Sequence, residues 1–111
     1  MQQRHQRRIT TGRQREALEL RDACMLLAAR HGTQREVGGG PVLEAGLGPF
    51  TVRLTPGGSR RALEVRHADA GAGNAPVLEL RWSGQELEVV VFRRGAWEAE
   101  LLGLAKHEPP R

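Results

Sequence analysis

The apolar positions of this chain change their period near residue 40. Before it, Ala17, Leu20, Cys24, Leu27 and His31 recur at three- and four-residue spacing, and Leu18, Met25 and Ala28 widen the same face. That spacing predicts an amphipathic helix. Thr11 as N-cap, with Gln14 three residues later, supplies a capping box, and Gly32 follows the last periodic residue. The helix is therefore expected from Arg13 to His31.

Beyond Gly38-Gly39-Gly40-Pro41 the period is two. Phe50, Val52 and Leu54 alternate with Thr51, Arg53 and Thr55. Leu63, Val65 and His67 alternate with Ala62, Glu64 and Arg66, and Leu78, Leu80 and Trp82 with Glu79 and Arg81. Val42–Ala45, Leu87–Arg93 and Ala96–Leu102 complete the expected strands, while Thr33–Gly40 and Asp69–Pro76 read as loops. Turn residues sit at 46–49, 56–59, 83–85 and 94–95. Strands joined by such short turns form an antiparallel meander. The expected class is α+β: an N-terminal helix packed on a five- to six-stranded antiparallel meander sheet, curled towards a half-barrel. Residues 1–10 are expected to be a flexible basic arm and residues 11–108 a single domain.

The segment Glu86–Leu102 carries a conflict. Regular alternation puts Val89 and Val91 on one face and Val90 and Phe92 on the other. A two-residue turn at Gly84-Gln85 sets Trp82 opposite Leu87, Leu80 opposite Val89 and Leu78 opposite Val91. A turn at Arg94-Gly95 sets Phe92 opposite Trp97 and Val90 opposite Ala99. A strand apolar on both faces needs cover on both, and one helix covers one. The other cover must be a curled sheet, a twin subunit or a partner. Trp82 and Trp97 fall on opposite faces in this register. Trp82, Trp97, Phe92 and Val90 are thus the candidate partner-binding residues.

Charge is distributed unevenly. Residues 1–35 hold eight arginines against Glu16, Glu19 and Asp22, whereas the remainder is close to neutral. Arg4, Arg7, Arg8, Arg13 and Arg15 are candidate nucleic-acid contacts, since such an arm can neutralise phosphates. Of the 17 basic residues all but Lys106 are arginine. With the abundance of Ala and Gly, this points to a GC-rich genome, bacterial or phage. One cysteine excludes an intrachain disulfide. No apolar run is long enough for a membrane span, and the N-terminus lacks a secretory h-region, so a cytoplasmic protein is expected.

Chemistry is sparse. Ser59 and Ser83 lie in turns without a nucleophile elbow, and Cys24 lies on the apolar helix face. His5, His31, His67 and His107 are scattered, and the glycine-rich stretch 38–40 precedes a strand rather than a phosphate-binding helix. Glu86/Glu88 and Glu98/Glu100 read as solvated strand faces. The segment Thr11–Leu20 resembles the first helix of response-regulator and sigma-type helix-turn-helix domains. No recognition helix follows Gly32, so no residue is carried over. A non-enzyme without metal or cofactor is expected: a small protein-binding module, such as an adaptor, inhibitor or chaperone-like factor, acting through an apolar sheet face or as a homodimer. The alternative is nucleic-acid binding through the arm.

Overall fold

A computed structural model of the protein describes residues 12–55, 60–69 and 75–106. Helix α1 (Gly12–His31) is followed by strands β1 (Thr33–Val37), β2 (Gly40–Leu47), β3 (Phe50–Thr55), β4 (Arg61–His67), β5 (Leu78–Ser83) and β6 (Glu86–Phe92). Helix α2 (Trp97–Lys106) ends the described chain. The strands form one antiparallel sheet in sequence order, and β1 and β6 are its two edges. The α+β class and the N-terminal helix match the sequence expectation. The sheet is open and does not close into a barrel.

Glycine sets the hairpin turns. Gly38 and Gly39 have φ of 61° and 85°, the paired left-handed conformation of a type I′ turn, and join β1 to β2. Gly48 and Gly84, each with φ 60°, open the two-residue turns after Leu47 and Ser83. A β-carbon on any of these four would be strained whatever the space around it. Gly32 is required for a different reason. Its amide donates to the Ala28 carbonyl at 2.8 Å, and an added β-carbon would lie 2.4 Å from that oxygen. Helix α1 can therefore pass into β1 through a single residue only if that residue is glycine.

One sheet face is apolar. Register puts Leu43, Ala45 and Leu47 of β2 beside Leu54, Val52 and Phe50 of β3, then Leu63, Val65 and His67 of β4. Leu80 and Leu78 of β5 continue the rows. Ala17, Leu20, Cys24 and Leu27 of α1 are buried in one cluster with these side chains. His31, expected on the same helix face, is exposed. Trp97 and Leu101 of α2 join that cluster, with Leu102 and Ala105 packed against it.

Three sequence expectations are corrected here. Ala96–Leu102 is not a strand, because Trp97–Lys106 is helical and no hairpin forms at Arg94-Gly95. Val90 therefore does not face Ala99. Trp97 still meets Phe92, with ring centroids 6.2 Å apart, because the chain turns back into α2 and the indole Nε1 donates to the Arg93 carbonyl at 2.7 Å. Second, Thr33–Val37 is a strand and not a loop. Third, the pairing of β5 with β6 holds as expected for Trp82 with Leu87 and Leu80 with Val89, then slips. Leu78 faces Phe92 rather than Val91, and Glu79 faces Val91, so Val90 is an extra residue in a β-bulge. The bulge turns Phe92 inward. Trp82, Phe92 and Trp97 are consequently 8%, 9% and 3% exposed and share one core, instead of dividing between two faces. The second apolar patch thus has no outer counterpart.

Leu27 is 1% exposed at the centre of the helix–sheet contact. Leu27→Ala is expected to cost about 2–5 kcal/mol. Trp97→Ala is expected to cost about 3–5 kcal/mol. Denaturant unfolding monitored by circular dichroism measures both. A loss of only a few tenths of a kcal/mol at either would contradict its burial.

Candidate functional site

The polar side of the sheet is built by the same register that makes the other side apolar. The residues alternating with the core row lie on the other face; Val42 among them is buried beside Arg35, and Arg35, Glu44, Arg53 and Glu64 on β1 to β4 alternate in charge. Arg35 donates through Nη1 to Glu44 Oε1 at 2.6 Å. Arg53 donates to the other oxygen, Glu44 Oε2, through Nε at 3.2 Å and Nη2 at 2.9 Å. Arg53 faces Glu64 on its far side, with Nη1 3.9 Å from Glu64 Oε1, and Arg66 pairs with Glu64 Oε2 at 2.5 Å. The row runs plus, minus, plus, minus. Glu64 then faces Glu79, a like-charge pair, and each acid is met by the arginine two residues along its own strand, Arg66 and Arg81. Arg81 faces Glu88 on β6.

Glu44 is the centre of this row. Its side chain is 13% exposed, and hydrogen bonds from Arg53 and then Arg35 hold its carboxyl below the usual range against the opposing effect of burial. The row begins at Arg35, whose side chain is 61% exposed and which pairs with Glu44. Beyond Arg35 no described strand follows.

The two edges differ. All five residues of β1 are exposed. A two-residue hairpin closes on a pair that exchanges both backbone bonds. Val37 with Gly40 is that pair, so Val37, Arg35 and Thr33 turn their backbone groups towards β2. The N–H and C=O groups of Gln34 and Glu36 then point outward. Edge β6 is blunted: the bulge at Val90 interrupts its ladder, and Glu86 and Glu88 are exposed along it. Bulges and edge charges are the usual devices that block strand addition. β1 carries charges at Arg35 and Glu36 but has no bulge or proline, so its ladder is regular from end to end.

Other chemistry sits elsewhere. His67 joins β4 to α2, with Nε2 3.3 Å from Glu100 Oε1, and its Nδ1 accepts the Asp69 amide at 3.1 Å. Its ring stands edge-on to Phe50 at 4.8 Å. This fixes the end of β4 and offers no nucleophile. Burial pushes the Cys24 thiol up to about 12, which keeps it protonated and unreactive. A cleft of about 330 Å³ between α1 and α2 has Glu16, Glu19 and Glu98 around Leu20, Ala99 and Leu102. Arg94 bridges Glu16 and Glu98 and lies 4.8 Å over the Phe92 ring, tying together α1, α2 and the end of β6. Glu98 also accepts the Gly95 amide at 3.3 Å, capping α2. Among the described residues no group of three His, Cys, Asp or Glu side chains is placed to hold a metal ion. No described helix is long and apolar enough to cross a membrane.

The candidates named from sequence are scattered. Trp82, Trp97 and Phe92 lie in the core, and only Val90, at 39% exposure, reaches the surface. Arg15 is exposed on α1, while Arg4, Arg7 and Arg8 and the expected N-cap Thr11 lie outside the described residues, as does the side chain of Arg13. Arg35, Glu44 and the β1 edge were not singled out from sequence. The signal was present in Gly38-Gly39, an arrangement that demands a hairpin and therefore a strand before it. Comparison with protein-family models, with curated proteins and with solved structures found no match to this chain.

The lowered carboxyl of Glu44 has a pH consequence. A carboxylate whose folded pKa lies below its unfolded value of 4.5 adds stability above that pH and loses it as pH falls through the folded value. Glu44→Gln should therefore destabilise the protein at neutral pH, and the gap to wild type should close as the medium is acidified below that value. Denaturant midpoints measured across the acid range check this. A gap that stays constant into strong acid would contradict it.

Proposed function

We propose that this protein is a small, non-catalytic protein-binding module that takes an extended segment of another protein onto its β1 edge. One observation carries the reading: β1 is paired along one side, is exposed at all five residues, and has a regular outer edge without bulge or proline. Strand addition uses main-chain hydrogen bonds for affinity and alternate side chains for specificity. The apolar sheet face expected to bind a partner is covered by α1 and α2, which leaves the edge as the open surface. The blunted β6 edge argues for a single point of addition rather than open-ended sheet growth.

A second reading is nucleic-acid binding through the N-terminal arginines, supported by the excess of eight arginines over three acids in residues 1–35. Phosphate contacts weaken steeply with salt, whereas strand addition does not depend on them.

Affinity capture from the native host, with and without nuclease, separates the two readings. The binding module should retain one protein in stoichiometric amount at high salt after nuclease. Glu36→Pro removes an outward-pointing amide at the edge and should abolish that complex while leaving the circular dichroism spectrum unchanged. A complex that disappears with nuclease favours the arm. A complex indifferent to Glu36→Pro contradicts the β1 edge.

A further inference from the structure

The pattern of charges on β1 identifies the chemistry of the strand it accepts. Resting on the binding-module reading, we propose that the occupant is an antiparallel strand of a different protein whose central residues are a base followed by an acid.

The argument begins with the outward row. Arg35, Glu44, Arg53 and Glu64 lie on four successive strands, and opposite charges face or flank each other throughout. Arg35 ends the row with its guanidinium 61% exposed. A strand added at β1 continues the alternation if it brings a carboxylate opposite Arg35. The neighbouring residue, Glu36, lies on the helix-side row of the same edge and is exposed. It calls for a base. In an antiparallel strand the residue opposite Glu36 precedes the one opposite Arg35, so the order is base then acid. Val37, 37% exposed, is met by the residue before the base, which should be apolar.

A second copy of this chain does not meet these requirements. Two β1 strands related by a two-fold axis must pair residues of the same face, which allows few registers. Centred on Arg35, the two guanidinium groups oppose each other. Centred on Glu36, the two carboxylates do. Centred on Gln34, Arg35 faces Thr33 and gains no carboxylate. Like charges directly opposite destabilise a ladder, and opposite charges stabilise it.

The test uses peptides and backbone-labelled full-length protein followed by amide NMR. The matched probe is acetyl-Val-Lys-Glu-Gln-Thr-Val-amide, and the control replaces its Lys with Glu. The matched peptide should shift the Gln34 and Glu36 amides first and bind about fivefold tighter than the control. Glu36→Lys, an exposed substitution, should reverse the preference by a similar factor without altering the circular dichroism spectrum. Shifts at β1 that ignore peptide charge, in wild type and variant alike, would overturn the pairing rule and leave the binding module standing. No shift at β1 with any peptide would overturn both. Concentration-dependent broadening of β1 amides without peptide would show that a second copy takes the edge, which also overturns the proposal.

Discussion

A sheet with helices on one side only builds its hydrophobic core on that side, and on the outer face of β2 only the single side chain of Val42 is buried, so the rest of this fold is arranged around that limit. The period of a strand is two, so parity decides which residues reach the core. Strands β2 to β5 keep parity from end to end. β6 does not, because Leu87, Val89 and Phe92 cannot all point the same way in a regular strand. The extra residue at Val90 resolves this by shifting parity once, between the partners Leu80 and Glu79. Phe92 then reaches the core and meets Trp97, and Val91 moves beside Glu79. Without the shift, Phe92 would stand on the polar face, and α2 would lose the aromatic contact on which its first turn rests.

What could be read from the sequence follows from which signals are local. The helix Gly12–His31 and the strands with clean alternation were legible because their buried residues recur at fixed spacing. The turn at Gly84-Gln85 was legible because glycine is nearly obligatory at positive φ. β1 was not, since Thr-Gln-Arg-Glu-Val buries nothing and has no apolar period to detect. It is a strand because a type I′ turn holds it against β2. α2 was misread for the opposite reason. Trp97-Glu98-Ala99-Glu100-Leu101 alternates like a strand, yet Glu, Ala and Leu favour helix and two of them are poor in sheets. Glu98, three residues after Gly95 and accepting its amide, was the overlooked start signal. The bulge has no local signature at all: it appears only when the partner strand is set beside it.

The candidate site was hidden by the same logic. Large aromatic residues draw attention as binding anchors, but in a chain of 111 residues with only two Trp and two Phe they are needed to fill the core. Trp82 illustrates the point. It is 8% exposed, closes the core at the end of β5, and is covered by Arg21, whose guanidinium carbon lies 5.2 Å from the ring centroid. The surface is left to charge and backbone. The polar face satisfies its own charges: Glu44 has two arginines, Glu64 has two, and the Glu64–Glu79 repulsion is offset along each strand. A face so compensated offers little to an outside ligand, because any new contact must displace an existing pair and desolvate both ions.

Among the described strands β1 and β6 each leave one side of the backbone unpaired, and the two edges differ in regularity. An open edge is an aggregation hazard. The chain interrupts β6 with a bulge, yet leaves β1 regular, adjacent to the end of α1 and supported by a single hairpin. The register explains how the hazard is contained. In a two-fold pairing of β1 with its own copy centred on Arg35 or on Glu36, like charges would stand opposite each other, which disfavours those registers. In the proposed complex the same two residues would discriminate among foreign strands. On that proposal, specificity against the wrong partner and recognition of the right one would come from one dipeptide, the economy expected where a short edge must carry both.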